Sequence, residues 1–290
     1  MAIPLLLLYS RPPALIVADK TFISLYGPSR VKTETLRSSL ALFRPVKPVI
    51  IADDADEDII QIAVTDASKL PFCVIFPIRF AKAAKHYREQ NPEIPVVILE
   101  GRSLPDAKPA SSAIETAADF FCYKTDIAAD YYCAGVAAAI IDNEKNGTVV
   151  VYMDQQIQKY AREAFSKALN DREIKIKPHF YTTYSQNQLN RLSDISCGIV
   201  AANGVEFMEK FPQTPIILFS WMDFSMIPAN VVLIFNDSPL IQAVPAVRMA
   251  AAGVEKGQIP TKPLVLKANK EGRELLRKLN KNLKMAIDDI

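Results

Sequence analysis

The chain has 290 residues, enough for two domains of ordinary size. Half of its residues are apolar and 23% are charged, the balance of a folded globular protein rather than a disordered or fibrous one. Net charge is only +2 and no long basic run occurs, so neither nucleic acid nor an anionic surface is expected as the main partner.

The first apolar run, Leu5 to Leu8, is followed by Tyr9-Ser10-Arg11-Pro12-Pro13. It is too short to span a membrane and lacks the basic flank and cleavage pattern of a signal peptide. Two readings stand: a buried first strand, or the start of a chain from which an export signal or anchor has been trimmed. The second would place the protein in the periplasm or cell envelope; the cytoplasm stays open.

Apolar strand-like runs then alternate with helical patterns, which predicts an α/β protein with parallel sheets. In the first half, strands are expected near Thr21–Tyr26, Pro48–Ala52, Phe72–Phe76, Val96–Leu99 and Phe120–Tyr123. Between them Ser29–Phe43, Glu57–Ser68 and Arg79–Gln90 read as helices, the first capped by Ser29 and the second by Asp54 or Asp56. Thr125–Asn143 is a helix with Ala129, Tyr132, Val136 and Ile140 on one face. Gly147 restarts the cycle: strand Thr148–Met153, helix Ile157–Asn170, strand Lys175–Tyr181, short helix Gln186–Leu192, and strands Gly198–Ala201, Ile216–Phe219 and Val231–Phe235. Pro239–Glu255 reads as a helix kinked at Pro245, Pro263–Lys267 as an edge strand, and Lys270–Ile290 as an amphipathic helix with Leu275, Leu276, Leu279 and Leu283 on one side.

Part of this pattern is written twice. Residues 89–100 read EQNPEIPVVILE and residues 209–220 read EKFPQTPIILFS, each running through Pro-x-x-Pro into four apolar residues. Upstream lie Cys73 in FCVIF and Cys197 in SCGIVAAN, with about one helical turn less between cysteine and prolines in the second copy. Two similar units imply two doubly wound lobes with parallel sheets and a ligand cleft between them. Lobe one is expected to hold residues 1–125 plus 238–268, and lobe two residues 126–237 plus 269–290 with the amphipathic tail. The hinge is expected near Thr125–Asp126 and Asn236–Ser238.

The middle of the chain resembles a known family. Lys124-Thr125-Asp126, Cys133-Ala134-Gly135-Val136-Ala137-Ala138, Gly147-Thr148-Val149-Val150 and Arg162-Glu163-Ala164-Phe165 follow one another as in type I periplasmic binding proteins. Phe219-Ser220-Trp221-Met222-Asp223, then Pro228 to Leu233 and a helix ending Ala252-Gly253, is similar to the closing portion of that family. The basic-membrane-protein branch, whose members commonly bind nucleosides, resembles it most, then the sugar-binding branch. The resemblance covers roughly residues 70–266 and rests on pattern more than on rare motifs. It implies a receptor that captures a small polar ligand by hinge closure for an ABC transporter, with no catalysis and no cofactor. A nucleoside, a sugar or a similar solute is the implied ligand, an ABC permease or a sensor the implied protein partner, and the chain is expected to be a monomer. One departure matters: Tyr26-Gly27-Pro28-Ser29-Arg30 lacks the Gly-Arg-x-x-Asp-x-Ser-Phe-like loop of the nucleoside-binding branch, so its ribose grip does not transfer.

Ligands of parallel sheets bind where the carboxyl ends of strands and the amino ends of helices gather. Lobe one offers Tyr26, Ser29, Asp53, Phe76, Arg79, Glu100 and Arg102 there; lobe two offers Asp154, Gln155, Tyr184, Asn203, Trp221 and Asp223, with Asn236 and Asp237 at the crossover. Trp221, the single tryptophan, suits stacking on a ring, with packing between loops as its alternative. Asp223 and Asn203 suit hydroxyls or ring nitrogens, or ordinary turns. Arg79 and Arg102 suit an anionic group, or surface pairs.

Rival readings are fewer. Cys73 and Cys197 are equivalent in the repeat, as the paired acid and base of a two-cysteine racemase would be, yet both sit near strand beginnings among apolar neighbours. The four cysteines show no C-x-x-C spacing and only two histidines occur, so a zinc site is not expected, while a disulfide stays open. No Gly-x-Ser-x-Gly and no glycine-rich nucleotide fingerprint is present. The input module of a signalling system uses the same two-lobed architecture and remains the main alternative.

Overall fold

A computed structural model of the chain describes residues 9–101, 120–143, 147–153, 155–192, 194–201, 204–219, 227–265 and 269–288. In chain order the elements are β1 (Ala14–Asp19), α1 (Lys20–Tyr26), α2 (Pro28–Leu42), β2 (Val46–Ile51), α3 (Glu57–Ala67), β3 (Cys73–Pro77), α4 (Ala81–Gln90), β4 (Val96–Gly101) and β5 (Phe121–Thr125). They continue with α5 (Ile127–Asp142), β6 (Thr148–Tyr152), α6 (Gln158–Asn170), β7 (Lys177–Tyr181), α7 (Gln186–Leu189), β8 (Ile195–Val200), α8 (Val205–Lys210), β9 (Ile216–Phe219) and β10 (Val231–Asn236). The last are α9 (Pro239–Ala251), β11 (Lys256–Ile259), β12 (Lys262–Leu264) and α10 (Lys270–Asp288).

These divide into two compact units, Met1–Thr125 with Asp237–Ile259, and Asp126–Asn236 with Pro260–Ile290, so the chain passes from one to the other at three points. The first sheet runs β11-β5-β4-β3-β1-β2 and the second β12-β10-β9-β8-β6-β7. Every pairing in the first is parallel, and in the second only β12 on β10 is antiparallel. The two orders match strand for strand, and the α/β architecture of two similar parallel-sheet lobes is as expected.

The central strands of each sheet are buried on both faces, while the edge strands β2, β7, β11 and β12 are partly exposed. All residues of β1, β6 and β10 are buried, which is why these strands read as continuous apolar runs and not as alternation. The first core gathers Leu15, Val17, Val74, Phe76, Val96 and Ile98 against Ile60, Val64, Ala84 and Tyr87. In the second unit the Ala-Gly stretch of α5 lets α6 come close: a Cβ on Gly135 would lie 2.8 Å from that of Ala168 and 3.0 Å from the Phe165 carbonyl. Leu275 and Leu279 of α10 are buried.

Several local expectations are corrected. Thr21–Tyr26 is helical, not a strand, because Asp19 accepts the Phe22 amide at 2.6 Å and starts α1; the first described strand is β1. Leu5–Leu8 lie outside the described residues. Ser29 does not cap α2, whose first position is Pro28 behind Gly27. At α3 it is Asp56, not Asp54, that accepts the Ile59 amide, at 2.8 Å. The helix begun at Pro239 ends at Ala251 with Pro245 inside it, and β11 follows as a parallel edge strand beside β5. Residues 260–265, expected in lobe one, belong to the second unit, where β12 pairs with β10 and Asp130 of α5 accepts the Thr261 hydroxyl at 2.7 Å.

Candidate functional site

At the carboxyl edge of the first sheet, five successive strand ends deliver polar side chains. Asp19 ends β1 and is 2% exposed. Its carboxylate caps α1 and forms an ion pair with Arg79, which follows β3. Asp53, just past β2, accepts the Thr21 amide at 3.0 Å. That bond holds its carboxyl below the ordinary value, and Arg79 adds to the effect. The Arg79 guanidinium also lies 4.8 Å from the Phe80 ring centroid and keeps a partly exposed side chain. At the next two strand ends, Glu100 of β4 and Lys124 of β5 approach to 3.9 Å with side chains 3% and 13% exposed. Glu100 Oε2 is buried without a hydrogen-bond partner among the described residues. Thr125, the last residue of β5, accepts from the Gln242 amide group at 3.1 Å.

Arg79 and Glu100, expected at a site, therefore belong to this edge. Tyr26 lies nearby at the end of α1, but it is 3% exposed and stacked on Phe22, with Arg30 at 5.7 Å from its ring. Phe76 is a correction: it is wholly buried in the core, 6.1 Å from the Tyr87 ring, because β3 is central and both its faces are covered. Asp19 was missed by sequence reading. Its signal, an acid closing the apolar run Ala14-Leu15-Ile16-Val17-Ala18, was obscured by placing the strand seven residues later.

The corresponding edge of the second sheet is aromatic. Tyr152 ends β6 with its ring 5.8 Å from Tyr181 at the end of β7 and 5.6 Å from Phe207 of α8. Phe219 ends β9 between Tyr131 at 4.6 Å and Phe235 at 5.2 Å. The Tyr131 hydroxyl donates to the Tyr152 carbonyl at 3.3 Å and fixes α5 to this edge. Burial raises the Tyr152 phenol and also that of Tyr181, a partly exposed residue. Tyr184, partly exposed, donates to Gln186. Asn236 is fully buried at the end of β10, and Asp237 follows it half-buried. Arg102, Asp154, Asn203, Trp221 and Asp223 lie outside the described residues.

All four cysteines are free thiols. Burial pushes Cys73 and Cys133 up to about 12 and Cys122 to about 11, and it raises Cys197 as well. Among the described residues no group of three or more His, Cys, Asp or Glu side chains is placed to hold a metal ion. No described helix is long and apolar enough to cross a membrane.

No protein-family model and no curated protein matches the sequence. Solved structures do. A transcriptional activator of the comK gene from Bacillus halodurans aligns over 93% of this chain and 95% of its own, at 12% identity and a TM-score of 0.51. The chain has that protein's fold. An ABC transporter periplasmic solute-binding protein from Actinobacillus succinogenes with bound D-allose aligns over 91% of this chain and all of its own, at 14% identity and a TM-score of 0.46. A carbohydrate transporter solute-binding protein from Agrobacterium radiobacter, in complex with D-arabinose, aligns over 92% and 97%, at 14% identity and a TM-score of 0.40.

Proposed function

We propose that the chain is a solute-binding receptor for a small hydroxylated ring compound, a sugar or a nucleoside, and not an enzyme. The observation that supports this reading is the contrast between the two carboxyl edges. The first supplies fixed hydrogen-bonding groups, Asp19, Asp53, Arg79 and Glu100, and the second supplies the partly exposed aromatic side chain of Tyr181, backed by the buried Tyr152. A sugar or nucleoside needs both, acceptors and donors for its hydroxyls and a flat apolar surface for its ring. In this reading Trp221, Asp223 and Asn203 remain candidate ligand-binding residues beside these strand ends. The expected setting is the cell envelope, with delivery to an ABC permease.

The racemase alternative loses its chemistry. Cys73 and Cys197 are both fully buried with raised thiols, whereas an acid–base pair must reach the substrate and exchange protons near neutral pH. The second reading, an input module that senses the same kind of ligand, is favoured by the shared fold with the Bacillus halodurans activator.

A thermal-shift panel of nucleosides, sugars, amino acids and small acids tests the proposal, because a ligand that binds only the folded chain raises its melting temperature. A rise confined to sugars or nucleosides is expected. A response only to amino acids or to small acids would refute the ligand class.

A further inference from the structure

Helix α2 turns two large apolar side chains, Leu36 and Leu40, outward and buries two serines instead. Its buried residues are Val31, Glu34, Ser38 and Ser39. The serines are committed inward: Ser39 Oγ accepts the Val46 amide at 2.9 Å, and Ser38 Oγ donates to the Leu240 carbonyl at 3.4 Å. Leu36, Leu40 and Phe43 instead face water, 49%, 55% and 45% exposed, at helical spacings that make one stripe. Folding gains little from three large side chains left half in solvent, so the stripe is not explained by the stability of the unit.

The charge along the stripe is of one sign. Lys32 lies one turn before Leu36 and is exposed. Arg37 flanks the stripe and pairs with Glu34, the only acid of α2, at 2.7 Å. At the far end the Arg11 guanidinium sits 5.0 Å from the Phe43 ring centroid, close enough to Arg44 to depress its pKa further after burial has lowered it. The net charge of +2 conceals this local gathering of cations.

We propose that this face of the first unit docks on an anionic lipid surface. Leucines and a phenylalanine flanked by lysine and arginine match the boundary between acyl chains and acidic headgroups. A second copy is a poorer occupant. A two-fold contact would set like cations against each other, and three side chains fall far short of the roughly 800 Å² per partner of a stable interface. A convex helix also offers no groove for a partner helix, whereas a bilayer adapts to it.

Flotation of the full chain with phosphatidylcholine vesicles, with and without phosphatidylglycerol, reads this directly. Binding is expected with the anionic vesicles, weakened by added salt. The double variant Leu36→Gln/Leu40→Gln, which changes only exposed side chains and should keep its melting transition, is expected to lose about tenfold in partitioning. Lys32→Gln should weaken binding to the anionic vesicles alone. No binding, equal binding by the double variant, or indifference to lipid charge overturns the proposal. So does a wild-type dimer that the double variant splits.

Discussion

Pro95 and Pro215 hold the same place in the two units: the Pro95 carbonyl accepts the Val74 amide at 3.0 Å, and the Pro215 carbonyl accepts the Gly198 amide at 2.9 Å. The turns before them match as well, with Ile94 donating to Asn91 at 3.1 Å and Thr214 to Phe211 at 3.0 Å. Even the helix ends agree, at φ −131°, ψ 65° for Asn91 and φ −119°, ψ 62° for Phe211. Pro92 and Pro212, directly after these caps, explain the device: proline cannot continue the helix hydrogen-bond ladder and pushes the residue before it towards extended backbone. The helices so ended are ten and six residues long, the missing turn seen in the sequence.

Where the copies differ, the difference is one of packing. Over Val74 the core is filled by Phe76 and Tyr87, whereas in the second unit Phe207 presses on Gly198. A Cβ at Gly198 would lie 2.4 Å from the Phe207 ring and 2.8 Å from Ile216 Cδ1. Gly198→Ala should therefore destabilise the protein by about 1–3 kcal/mol in urea denaturation, although alanine suits a strand better than glycine. An unchanged midpoint would mean that the ring moves aside at no cost.

The Asp19–Arg79 pair separates stability from binding. Asn caps helices nearly as well as Asp, whereas Ala loses about 1 kcal/mol at a cap. Asp19→Asn should therefore melt close to wild type and Asp19→Ala clearly lower, while both release Arg79 and weaken ligand binding to a similar degree. If affinity instead follows stability, with Asn binding normally, Arg79 does not depend on the pair for its role.

Stability should fall in alkali. The Cys73 thiol is raised from 9.0 to about 12, Cys122 from 9.0 to about 11 and Tyr87 from 10.0 to about 12, in each case chiefly by burial. The unfolded chain then releases protons that the folded chain still holds, so stability is full below about pH 9 and is lost progressively towards pH 12. Denaturation midpoints at neutral pH and at about pH 10 should differ in that direction. A midpoint that rises with pH would contradict it. Alkylating reagents at neutral pH should also leave Cys73 and Cys197 intact until the chain unfolds.

Much of the fold was legible because the central strands are covered on both faces. The runs at β3, β4, β6, β9 and β10 are unbroken apolar segments bounded by Pro, Gly or Asn. What failed were edges and starts. β11, Lys256-Gly257-Gln258-Ile259, carries no apolar run, and its pairing with β5 is a contact across more than a hundred residues. Thr21 to Tyr26 has the β-branched and aromatic content of a strand, and only the cap from Asp19 tells otherwise. Strand-end logic placed Arg79 and Glu100 at the carboxyl edge of the first sheet, where both lie. It also took Phe76, since periodicity cannot tell an inward side chain from one at the rim. The inverted face of α2 was invisible, because Ser38 and Ser39 look like surface residues until Val46 and Leu240 are seen to bind them.

Calorimetric titration with the solute selected by the thermal-shift panel tests the central claim most directly. One ligand per duplicated chain is predicted, with affinity reduced at least about tenfold by Arg79→Ala and by Glu100→Gln, each of which removes a charge-assisted hydrogen bond. Two equivalents per chain, one for each lobe, or a single equivalent indifferent to both substitutions, would contradict the account.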